Sequence, residues 1–99
     1  MAKKASNGGA EGSVFRIGGK YLIRTVTNYI VGKVKKITAT EILLGGASWV
    51  ADTGRFHDCL KDGSIGEVEP IPGEGLAIVG RGAIVDAFLW EHNLPTQQK

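Results

Sequence analysis

Gly32-Lys33-Val34-Lys35-Lys36-Ile37-Thr38-Ala39-Thr40-Glu41-Ile42-Leu43-Leu44 decides the fold of this 99-residue chain. It reads as a strand, a tight turn at Thr38-Ala39-Thr40 and a second, apolar strand. Within Ile30 to Ile37 the apolar positions change face. Ile30, Gly32, Val34 and Lys36 fall on one side; Val31, Lys33, Lys35 and Ile37 fall on the other. A strand that is bent or bulged has this pattern, and Gly32 is the natural bend point. Far downstream, Ile78-Val79-Gly80-Arg81-Gly82-Ala83-Ile84-Val85 repeats the theme as two strands joined through Arg-Gly. Two such signals predict a small, strongly bent β-barrel.

Working outward, Tyr21 to Thr27 is rich in β-branched and aromatic residues and predicts the first main strand, with a bend at Asn28-Tyr29. Gly45-Gly46 interrupts the strand that begins at Glu41, and Ala47 to Val50 carries it onward. The pattern then changes. Thr53 is a candidate N-cap and Gly63 a C′ residue. Phe56, Cys59 and Leu60 recur at i, i+3, i+4, so a short helix is predicted near 53–62. Ser64 to Ile71 returns to extended character, Pro70 to Gly75 makes a tight connection, and Leu76–Val79 and Ala83–Trp90 are the last strands. Residues 1–13 are small, polar and glycine-rich and predict a flexible arm, 14–92 the domain, and 93–99 a polar tail.

The composition is that of one soluble domain: 42% hydrophobic, 22% charged, net charge +2. Fifteen glycines suit a fold of many sharp turns better than a helical bundle. Twelve basic against ten acidic residues give no overall case for nucleic-acid binding, so the placement of charge carries more information than its sum. One cysteine, Cys59, excludes an intramolecular disulfide and suits a reducing compartment. No apolar run approaches the ~20 residues of a membrane span. Met1-Ala2-Lys3-Lys4 has no apolar stretch after it and is not read as a secretory signal, so the expectation is a cytoplasmic protein with no membrane partner.

At this point the residues resemble the Sm-like family of small β-barrels, which includes the Sm, Lsm and Hfq-type proteins. Gly32, Val34, Ile37 and Ile42-Leu43-Leu44 match its first motif, and Ile78 to Val85, through Arg81-Gly82, matches its second. Related patterns occur in SH3-like barrels. The resemblance covers Tyr21 to Leu44 and Leu76 to Phe88. It implies a mainly β fold: a strongly bent five-stranded barrel, with the helical insertion between strands three and four. It also implies a homo-oligomeric ring, built by pairing the edges of strands four and five of neighbouring copies. Candidates for that interface are Ile78, Val79, Ile84, Val85, Phe88 and Trp90. In such a ring Arg81 lies near the central pore and contacts RNA. Two features depart from the family. Thr38 stands where an acidic residue usually lies in the first motif's turn, and the segment Ala47 to Phe56 is not an Sm feature. That segment is similar to small proteins of tailed bacteriophages; for a phage protein the compartment is the host cytoplasm.

Candidate chemistry is sparse. His57, Asp58, Cys59 and His92 offer no zinc-ligand spacing, and Cys59 falls on the helix's apolar face, as a buried structural thiol does. No catalytic, cofactor-binding or metal-binding residue is predicted. Asp52 and Arg55 read as a helix-start acid with a local ion pair. Trp49 reads as a core filler between barrel and helix, and Trp90 as an interface residue. Lys33, Lys35 and Lys36 form the densest basic cluster, with Lys33 and Lys35 on one face and Lys36 across from them. Two functions follow as expectations. One is a non-enzymatic ring that binds single-stranded RNA through Arg81, Lys33, Lys35, Lys36 and Tyr29. The other is a structural or protein-interaction module that binds no nucleic acid.

Overall fold

A computed structural model describes residues 13–99. Six strands and one short helix follow in the order β1 (Lys20–Thr25), β2 (Tyr29–Ile37), β3 (Glu41–Asp52), α1 (Phe56–Asp62), β4 (Glu67–Pro70), β5 (Ala77–Gly80) and β6 (Ile84–Leu89). A single 3-10 turn, Arg81–Ala83, joins β5 to β6. Every strand pairing is antiparallel. The sheet runs β4-β3-β2-β1-β6, and β5 also lies along β3.

The expected five strands are therefore six, and the sheet does not close on itself. The reason lies between Pro70 and Gly75. β3 is twelve residues long and needs a partner along its whole outer edge. Its C-terminal half pairs with β4 and its N-terminal half with β5. Pro70 and Pro72 cannot donate to a ladder, so the partner strand breaks in two there. Gly75 makes the break tight: at φ +66°, its backbone lies so close to β3 that a Cβ would come 2.7 Å from the Ala47 nitrogen.

β3 also corrects a second expectation. Gly45-Gly46 does not interrupt it. The glycines sit at a bulge where the β2–β3 register shifts between Val31 and Lys33. A second shift falls between Val34 and Lys36, where β2 carries the extra residue, so the mixed pattern of Ile30–Ile37 is that of a strand with one bulge of its own.

Both faces of the sheet are buried. On the inner face Tyr21, Ile23, Val34, Ile42, Leu44, Ala47 and Val79 form one core, with Phe15 and Ile84 packed against it. On the outer face Leu22, Val31, Val50, Val68 and Trp90 meet Cys59 and Ile65 in a second core. α1 covers that outer core. Cys59 faces inward, and Phe56 contacts the rings of Tyr29 and Phe88. The helix begins later than the residues suggest, with Arg55 rather than Thr53 as its N-cap, and ends at Gly63 in the left-handed conformation. The tail is tied down too: the Trp90 indole N–H donates to the Asn93 carbonyl, and His92 Nε2 bonds the Leu60 carbonyl at 2.8 Å. Of the expected flexible arm over 1–13, all but Ser13 lies outside the described residues.

Candidate functional site

Arg81 and the β2–β3 turn form one unit. The Arg81 backbone N–H donates to the Thr40 carbonyl at 2.9 Å, and its Nη1 donates to the Thr38 carbonyl at 2.6 Å. The Thr38 hydroxyl accepts from the backbone of Glu41 at 3.0 Å and of Thr40 at 3.3 Å. A threonine thus organises the turn by side chain-to-backbone bonding, in the place where the resemblance led us to expect an acid. One Arg81 nitrogen is committed to holding this turn.

The lysine cluster differs from its expected arrangement. Lys36 was expected across the strand from Lys33 and Lys35. The bulge after Val34 rotates it: Lys33 pairs with Gly45 and Lys36 with Leu43, two residues apart on β3 and hence on one face. The stem of Lys35 lies across Gly45 on that same face. Lys20 stands directly opposite Lys33. None of these four has an ion-pair partner among the described residues, where one salt bridge, Arg24–Asp86, is present. Lys20 belongs to this row and was missed in the sequence, because its place depends on the β1–β2 register.

Tyr29 lies apart from the lysines, half-buried against Phe56, at the other end of β2. Of the candidate interface residues, Val79 and Trp90 are buried within the protomer, Trp90 at 2% exposure. Ile84 and Phe88 are half-buried. Ile78 and Val85 are open, at 70% and 54%. Ile78 stands on β5 and Val85 on β6. The outer edges of these two strands meet no backbone partner among the described residues. β4 differs: Val68 and Lys99 exchange two backbone hydrogen bonds of 3.0 Å, so the tail covers its edge. Beside β6, an open, mostly apolar groove of about 430 Å³ is lined by Val14, Phe15, Tyr21, Ile84, Ala87 and Leu89, together with Arg16 and Asp86.

Trp49 is the largest departure from expectation. It does not fill the seam between sheet and helix but is 53% exposed. It alternates with Val50, whose side chain is in the outer core, so it lies on the inner face beyond Ala47, where the inner core stops. With Val26, Thr25, Tyr29 and Val85 it lines an open groove of about 740 Å³ at the β1–β2 turn. Arg24 also borders the groove. Its guanidinium is bound to Asp86 at 2.6 and 2.9 Å, which holds the Asp86 carboxyl below its ordinary pKa. Glu69 is the cross-strand neighbour of Trp49, and Glu67 that of Asp52. Glu67-Val68-Glu69 alternates exposed, buried, exposed, which places both glutamates on the Trp49 face. That alternation was legible in the sequence. Asp52 does not pair with Arg55; its Oδ1 accepts the Gly54 backbone N–H at 2.8 Å.

Cys59 is buried, and burial pushes its thiol pKa up. Among the described residues no group of three His, Cys, Asp or Glu side chains converges as a metal site, and no helix is long and apolar enough to cross a membrane. No family model, curated protein or solved structure matches the chain.

Proposed function

We propose that this protein is a non-enzymatic, self-associating β module, whose copies join through the β5 edge of one and the β6 edge of the next to close a ring. The observation that carries this reading is the contrast between edges. The tail covers β4, whereas β5 and β6 stay open and present Ile78, Val85 and Leu89. Open edges with apolar side chains are templates for strand addition. Two different edges make the contact heterologous, and a heterologous contact that closes gives a ring. The groove beside β6 offers apolar surface to a neighbour's side chains. The Sm-like arrangement suggested by Gly32–Leu44 and Ile78–Val85 has the same logic.

Association between protein surfaces is favoured here over binding of RNA. Arg81 already bonds the turn, and Tyr29 is half-buried and distant from the lysine row, so these residues do not build a common base-stacking site. Light scattering on the purified protein is the test. The expected result, in salt high enough to screen charge contacts, is a discrete oligomer that Ile78→Lys converts to monomer with unchanged circular dichroism. A wild-type monomer at high concentration overturns the ring. Salt-dependent binding of a uridine-rich oligonucleotide, lost in Lys33→Glu/Lys35→Glu, restores the RNA reading.

A further inference from the structure

We infer that the Trp49 groove receives the lysine row of a second copy of this chain, in a head-to-tail contact separate from the β5 and β6 edges. Trp49 stands between this groove on one side and carboxylates of β3 and β4, outside the groove's lining, on the other. Trp49 and Val26 are each more than half exposed and border the same open space. A set of large apolar side chains left open together marks a contact surface. Beside Trp49 stand Glu69, its cross-strand neighbour, then Glu67 on the same face, with Asp52 opposite Glu67.

No described cation neutralises these carboxylates. Glu69 takes a neutral amide hydrogen bond from Gln98 at 3.0 Å, and Asp52 bonds backbone. Arg24, the one cation bordering the groove, is already paired with Asp86. These carboxylates repel phosphate and favour an ammonium group, which also gains from the neighbouring indole face.

The complementary surface is on the same chain. Lys33, Lys35 and Lys36 share the outer face with Lys20, whose Nζ donates to the His92 carbonyl at 2.5 Å and whose backbone position is directly opposite the like-charged Lys33. Such a pair is destabilising in an isolated protomer and is relieved by facing carboxylates. The spacing agrees as well. Lys33 and Lys36 stand opposite Gly45 and Leu43, two residues apart on β3, and Glu67 and Glu69 are two residues apart on β4, which sets each pair roughly 7 Å apart. The lysine stems supply apolar length to lie over Trp49. A copy cannot satisfy its own groove, because the lysine row is on the outer face and Trp49 on the inner. Each joined copy therefore keeps one row and one groove free, and the contact propagates head to tail.

Sedimentation at low and high salt tests this, with acrylamide quenching as a local readout. Trp90 is buried, so quenching reports Trp49. The expected result is association that strengthens at low salt and shields the exposed tryptophan. Trp49→Ala is expected to weaken it about tenfold. Glu67→Lys/Glu69→Lys alone and Lys33→Glu/Lys35→Glu alone are each expected to disperse, and their equimolar mixture to associate again, since each then meets its opposite charge. Recovery in the mixture also shows that both doubles are folded. Wild-type protein that shows no salt-sensitive association, a double that associates like wild type, or a mixture that stays dispersed overturns the contact. Ile78→Lys separates it from the ring: that variant is expected to lose edge assembly and to keep the salt-sensitive contact.

Discussion

Ser48 shows what a single atom contributes to this sheet. It lies on the outer face between Val31 and Pro70 on neighbouring strands and is wholly buried. Its Oγ has no hydrogen-bond partner. A buried hydroxyl without a partner loses its hydration and regains nothing, a cost of about 1–3 kcal/mol. Ser48→Ala removes the oxygen and leaves a cavity smaller than a methyl group. The variant is expected to be more stable by about 1 kcal/mol, read as a higher urea midpoint at unchanged slope. A lower midpoint would show that the hydroxyl has a partner in solution. The sequence gives no sign of this burial, because serine in a strand usually reads as the solvent side. Cys59 is the opposite case. Its place at i+3 from Phe56 on an amphipathic turn already put it on the covered face, and it is buried there.

At the scale of elements, the β1–β6 ladder carries the one ion pair among the described residues. Arg24 and Asp86 are cross-strand partners at the point where the register shifts before Thr25. The hydrogen bonds from Arg24 are the main cause of the lowered Asp86 pKa. A carboxyl whose folded pKa is lowered stabilises the fold above its unfolded pKa, and that contribution fades as the pH falls through the folded value. Both side chains are exposed, so the effect is small and screened by salt. Asp86→Asn is therefore expected to unfold at slightly lower urea than wild type at neutral pH, and to match it near pH ~2, below the ordinary carboxylate range. A difference that stays constant with pH would contradict this linkage. The elements themselves were legible to different degrees. β-Branched and aromatic content marked β1, the strand-turn-strand pattern around Thr38-Ala39-Thr40 marked β2 and the start of β3, and the apolar run after Arg81-Gly82 marked β6. The i, i+3, i+4 repeat marked α1. The continuation of β3 through Gly45-Gly46 was hidden, since paired glycines signal a break locally and only the β2 register turns them into a bulge. The other bulge, after Val34, moved Lys36 to the face of Lys33. The split of β3's partner into β4 and β5 was masked in the same way: the prolines and glycines of 70–75 marked a connection, not that both flanking strands share one long neighbour.

The whole molecule is a sheet with cores on both sides, and the second core depends on the tail. Trp90 and Leu94 belong to it, and Leu94 also reaches the bulge of β3, where a Cβ on Gly46 would come 3.0 Å from its Cδ1. Beyond Leu94 the chain returns along β4, where Val68 and Lys99 pair. A stretch that composition alone marked as a polar tail thus closes a hydrophobic layer and covers a strand edge. Trp49 was misread for a related reason. A large aromatic beside a helix suggests filling, but Trp90 and Leu94 already cover the space under α1, and strand parity turns Trp49 to the open face. Deleting residues 94–99 tests the arrangement. The half-buried Leu94 contributes about 1–2 kcal/mol, and the two Val68–Lys99 hydrogen bonds about 1 kcal/mol each, so the shortened chain is expected to lose about 3 kcal/mol. It also uncovers the edge of β4, which then resembles β5 and β6. We therefore expect the shortened chain to gain an association that Ile78→Lys does not suppress, because it runs through a different edge. Sizing both chains in high salt, which removes the charge contact, with and without Ile78→Lys distinguishes the two routes. Unchanged stability on deletion, or association abolished by Ile78→Lys in the shortened chain, would show that the tail guards no edge of its own.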